Sequence, residues 1–198
     1  MTFAAALLTT LAAATAAAPP PPGDYPAAAV LAAFRDGCGE LTSIAAARTA
    51  AETHGWRPIP EDGTSPLAAV IKVGKDAVAD EPGVKLLPGG AFEREVAGRQ
   101  LYLAISGVSN AGVQSRGCRL YDFTAARPLD PAALRAWMGR APETTVEPLA
   151  GLTKSTWAPG IAPDQSEFDA VHVVPGTRLP LQVPISGLVL TAQVLEFE

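Results

Sequence analysis

The sequence is poor in the residues from which most metal and catalytic centres are built. Its 198 residues include two cysteines and two histidines, too few for a zinc knuckle. No metal ligand set and no cofactor is therefore expected. Charged residues make up only 18%, with a net charge of −5 and no basic run. Nucleic acid and an anionic membrane surface are thereby excluded as main partners. No Walker A loop, Ser-x-x-Lys or G-x-G-x-x-G occurs, and Gly37-Cys38-Gly39 lacks both the third glycine and a preceding strand.

What is present is hydrophobic residues at 48%, of which 38 alanines form a large part. Alanine buries little area, so the core must come from a modest set of Leu, Val, Ile, Phe and Trp. The length suits one domain and is short for two. Met1 to Ala18 carries no charge and places an apolar run, Phe3 to Ala14, before small residues at Thr15 to Ala18. This is the pattern of a cleaved secretory signal peptide, although no Lys or Arg precedes the apolar run. The expected organisation is a signal peptide over residues 1–17, a proline-rich spacer over 18–24 and a single domain over 25–198. Arg outnumbers Lys 11 to 4, which with the alanine content fits a GC-rich bacterial genome. Export from such a cell means a periplasmic or secreted protein, with no stable membrane insertion once the signal is removed. Cys38 and Cys118, eighty positions apart, are then expected to form one disulfide.

After the spacer the front half reads as helix and the back half mainly as strand. Val30, Leu31 and Phe34 share a helical face, which Gly37 is expected to end. Ile44, Ala47 and Ala51 mark a second helix, Leu67, Val70 and Ile71 a third that fades near Gly74, and Leu134, Trp137 and Met138 a fourth opened by Asp130-Pro131. Strand signals begin at Phe92, turn at Gly98-Arg99, and continue from Leu101 to Val108, Cys118 to Phe123, Phe168 to Val174 and Leu188 to Phe197. Residues 141–164 hold four prolines without periodicity and read as a long surface excursion. Hairpin-length links between strands predict an α+β fold, with N-terminal helices packed on a mainly antiparallel β-sheet.

The candidate functional residues are few. His54 falls at a helix end, where its charge complements the dipole. His172 lies in mid-strand, with Phe168 and Ala170 on its own face and Asp169 on the other, so Asp169 does not orient it. Gly107-Val108-Ser109-Asn110-Ala111 comes near a nucleophile elbow but leads into another strand instead of a helix. Glu93 and Glu95 project together and read as a solvated face. Trp56 and Trp137 read as core. Trp157, inside the proline-rich segment, is a candidate contact residue or a loop anchor. Trp157 and His172 are the possible binding residues, and no residue is assigned as catalytic.

Phe34-x-x-x-Cys38, an alanine-rich helix ending in Gly55-Trp56, and the later Cys118 together resemble a pattern in small, uncharacterised exported proteins of proteobacteria. The resemblance implies secretion and a structural disulfide, and carries over no catalytic residue or substrate. The leading expectation is a non-catalytic periplasmic binding or accessory module for a protein or small-molecule partner in the cell envelope. A hydrolase assembled around His172 with Ser109 or Ser106, and an oligomeric envelope protein using Leu188 to Phe197, are the alternatives.

Overall fold

The chain runs α1 (Ala27–Cys38), α2 (Ile44–Thr53), β1 (Arg57–Ile59), α3 (Pro66–Ala79), β2 (Lys85–Val96), β3 (Arg99–Asn110), β4 (Val113–Asp122), α4 (Pro131–Met138), β5 (Thr144–Leu149), β6 (Leu152–Trp157), β7 (Glu167–Val173) and β8 (Gly187–Phe197). This is a computed structural model, and it describes residues 25–79, 81–180 and 183–197. The expected signal peptide and spacer lie outside the described residues.

The eight strands form one antiparallel sheet in the order β1-β2-β3-β4-β8-β7-β6-β5. With the helices packed against it, the architecture is α+β in a single domain. Two hairpins generate its first half. They turn at Ala97-Gly98 and Ala111-Gly112, where all four residues have positive φ, as two-residue hairpin turns require. The first turn therefore falls one residue before the Gly98-Arg99 expected from sequence. The second lets β3 continue to Asn110 and β4 start at Val113, across a stretch whose composition reads as loop.

Alternation along the strands divides the core in two. On one face Leu101, Leu103, Ile105, Cys118, Leu120, Phe168 and Leu190 are buried beneath α1, α2 and α4. Their aromatic centre is Phe168, with its ring centroid 5.4 Å from both Phe34 and Trp137 and 5.2 Å from Trp157. The Cys38–Cys118 disulfide fastens the last turn of α1 to β4 within this core. On the other face, among the described residues, Ala91, Ala104, Tyr121 and Val189 are covered by the first half of α3 and by Phe123, Val183 and Ile185.

The helices have local causes. Ser43 caps α2 by accepting from the Ala46 amide, and Asp130 caps α4 by accepting from that of Ala132. Gly37 does not end α1, which continues to Cys38. Its missing side chain serves packing instead, because a Cβ there would lie 2.9 Å from Trp56 Nε1 and 3.0 Å from a Leu103 methyl.

Residues 141–164 are not a structureless excursion. They hold the β5–β6 hairpin, which extends the sheet by pairing β6 with β7. Lys154 and Thr156 of β6 meet Asp169 of β7 at 2.8 and 2.6 Å, so a polar row replaces the apolar alternation that marks most strands. β1 and the first half of β2 also escape the sequence signal, since Pro88-Gly89-Gly90 breaks the alternation at a register shift between Leu87 and Gly90.

Candidate functional site

The sequence-predicted residues come first. His172 is 3% exposed and its Nε2 lies 3.1 Å from the Ala125 carbonyl oxygen, so it anchors the segment after β4 from inside the core. Ser109 is on the same sheet face but at the opposite end. Register carries His172 through Leu188 to Asp122, beside the start of β3, and Ser109 stands near the end of β3. Three strand spacings and about eight residues of rise separate the two by on the order of 30 Å. Ser106 projects from the other face. The fold thus brings neither serine to His172.

Trp157 is 1% exposed, packed on Phe168, with Nε1 donating to the Arg140 carbonyl at 3.2 Å. As a contact residue it is corrected by this burial: it anchors the β5–β6 hairpin to the core and presents no surface to a partner. His54 is exposed at the C-cap of α2. Glu93 pairs with Arg57 of β1. Of the final strand, Leu188, Leu190, Ala192 and Val194 are core, and only Leu195 and Phe197 among its large apolar residues are exposed. Among the described residues no group of three His, Cys, Asp or Glu side chains is placed to hold a metal ion. None of the described helices is long and apolar enough to cross a membrane.

The feature that sequence reasoning missed is a groove between α3 and the less-covered sheet face. Leu67, Val70, Ile71, Gly74 and Val78 fall at helical spacing on α3, a stripe that a fully docked helix would bury. Only its first half is buried, at Leu67, Ala68 and Val70. At Gly74 the stripe has no side chain, and a Cβ built there meets nothing within 4 Å. Opposite, β3 presents the small residues Ala104 and Ser106. The result is a groove of about 690 Å³, with Val73, Val78, Leu86, Leu87 and Val108 among its apolar walls. That volume lies within the range of small-molecule sites, which are mostly apolar with a few placed polar groups. A shallower depression of about 600 Å³ on the outer side of α3 has Glu61, Asp62, Lys72, Lys75 and Asp76 around it. Lys75 pairs with Glu61 at 2.6 Å and Lys72 with Asp76 at 2.5 Å, so both of its cations are already paired.

The polar groups of the main groove are Arg119 and Ser106, with Tyr121 beside them, and the mutually paired Glu61 and Lys75. Arg119 projects from β4 next to Ala104 and donates from a terminal nitrogen to Ser106 Oγ at 3.1 Å. Among the described residues no carboxylate lies within 4 Å of its guanidinium. Tyr121, two residues further along the same face, has its phenol pushed up by burial, an effect the Arg119 charge partly offsets, so it stays protonated.

A second polar cluster, around Asp122, is already complete. Asp122 is fully buried; it accepts from Arg99 Nε and a terminal nitrogen at 2.8 Å each, from Tyr25 Oη at 2.9 Å, and from the Thr124 amide and hydroxyl. Burial alone pushes its carboxyl up, but these hydrogen bonds outweigh it and hold the group below the usual carboxylate range. The Tyr25 phenol is pushed up, by its own burial first and then by the Asp122 charge. With every acceptor occupied, the cluster ties the entry to α1 onto the start of β3 and the end of β4 and offers nothing to a ligand. Likewise Arg116 grips Glu196 with two nitrogens and donates to the Leu41 carbonyl at 2.9 Å, locking the α1–α2 link to β4.

No protein-family model, curated protein or solved structure matches this chain.

Proposed function

We propose that this is an exported, non-catalytic binding module of the bacterial envelope, whose ligand is a small molecule with an apolar body held between α3 and the sheet. One observation carries the reading. The second half of α3 stands off the sheet at Gly74, opposite Ala104 and Ser106, and leaves an apolar groove of about 690 Å³ where a helix of this stripe would ordinarily close the core. A buried disulfide and the uncharged, alanine-rich N-terminal run support export.

The test uses the uncharged fluorophore 1-N-phenylnaphthylamine with protein recovered from a bacterial periplasm, whose intact mass also reports whether the first 17 or so residues have been removed. Saturable enhancement of emission is expected from the native chain. Gly74→Leu, which fills the groove from a position with open space, is expected to weaken it about fivefold or more while the fold is kept. Absence of saturable binding, or equal binding by Gly74→Leu, overturns the groove as the site.

A further inference from the structure

The polar corner at Arg119 and Ser106 specifies more than an apolar body. Arg119 is only partly exposed, sits on a sheet face between the uncharged Ala104 and Thr191, and has Ser106 as its sole hydrogen-bond partner among the described residues. A guanidinium carries five N–H donors in a planar fork, so most of this one's capacity is directed at no protein acceptor. Glu61, which lines the groove, is paired with Lys75 at 2.6 Å, and Asp169, in register with Arg119 through Thr191, is paired with Lys154 at 2.8 Å. A cation lacking a counter-charge, at the floor of an apolar groove, complements an anion whose remainder is apolar.

We infer that the ligand is an amphiphilic carboxylate, with its head on Arg119 and Ser106 and an unbranched apolar chain lying beneath the second half of α3. Planar carboxylate matches the guanidinium fork, and the protonated Tyr121 hydroxyl adds no opposing charge. The stretch of α3 from Val70 to Val78 spans about 12 Å, which suits a chain of medium length. Val73, Val78, Leu87 and Val108 supply its apolar walls. A cationic or zwitterionic head is disfavoured, because it would place a positive charge against Arg119.

This inference rests on the groove being the binding site, and the experiment separates the two. Bound 1-N-phenylnaphthylamine is displaced by decanoate, decanol, decyltrimethylammonium or decyl phosphate from the full exported chain. Decanoate is expected to displace at about tenfold lower concentration than decanol, the increment of one charge-assisted contact. Arg119→Gln is expected to bring decanoate down to about the level of decanol, with decanol shifting far less than decanoate, and Arg119→Lys to retain part of the preference. Equal displacement by decanoate and decanol in the native chain overturns the carboxylate and leaves the groove standing. A preference for decyl phosphate overturns it in favour of a phosphate head. Failure of the native chain to bind the neutral probe at all overturns the groove and the carboxylate together.

Discussion

On one face of the sheet three helices bury Phe34, Trp56, Trp157 and Phe168, a disulfide binds α1 to β4, and Gly37 lets a helix approach a tryptophan closely. On the other, half of one helix and a short segment after β7 cover Ala91, Ala104, Tyr121 and Val189, and the glycine in that helix borders empty space. The same residue type thus serves opposite ends on the two faces. Gly37 is absent side chain used to close a contact, and Gly74 is absent side chain that keeps one open. If the second face holds the proposed ligand while the first carries the stability, changes to the two should separate cleanly in experiment.

The largest effect is expected from the closed face. Replacing both cysteines, Cys38→Ala with Cys118→Ala, releases a loop of eighty residues and empties two fully buried positions. A loss of about 3–5 kcal/mol is expected, read from urea midpoints with and without the substitutions. A loss below about 1 kcal/mol would mean that the helical layer holds to the sheet without the cross-link, and the contrast between the faces would have to rest on packing alone.

Next comes Asp122, at the margin of the same face. Asp122→Asn removes the charge that Arg99, Thr124 and Tyr25 converge on and is expected to cost about 3 kcal/mol at neutral pH. Because the folded state holds this carboxyl below its ordinary value, its contribution is fully present above the ordinary carboxylate pKa. It is lost as pH falls through the lowered one. The gap between native chain and Asp122→Asn should therefore narrow in acid. A gap that stays constant from neutral pH into strong acid would show that the hydrogen-bond geometry, and not the charge, carries the contribution.

The closed face was also the legible one. Val30, Leu31 and Phe34, the Asp130-Pro131 opening of α4, and the alternation in Phe168, Ala170 and His172 announce elements that bury a regular stripe, and the α+β class follows from them, while the cysteine pairing follows from two cysteines in a chain that reads as exported. The open face leaves a weaker trace, because its strands have no need to alternate. Lys154 and Thr156 face Asp169 instead of a core, so β6 hides in a run of polar residues and prolines. Pro88-Gly89-Gly90 hides the first half of β2 at its bulge. Trp157 misleads for the same reason, since a tryptophan in a segment without visible period looks like surface. The groove itself has one sequence signal, a glycine interrupting the α3 stripe between Val70 and Val78. Read alone that glycine suggests a fading helix, and only the sheet opposite shows that the helix continues and the side chain is what is missing.

The smallest expected effect has the opposite sign and bears most directly on the comparison. Gly74 costs its helix roughly 0.5–1 kcal/mol relative to a good helix former, and no steric conflict within 4 Å requires glycine there. Gly74→Leu is therefore expected to stabilise the protein by about 0.5–1 kcal/mol, with some further gain from apolar contact across the groove. The thermal midpoint should rise while binding of the neutral probe falls. A side chain whose absence weakens the fold and at the same time opens the site is what a trade between stability and binding looks like at a single position. Were Gly74→Leu instead to lower the midpoint, α3 would have to pack more tightly in solution than the groove implies. The difference between the two faces would then shrink to one of degree.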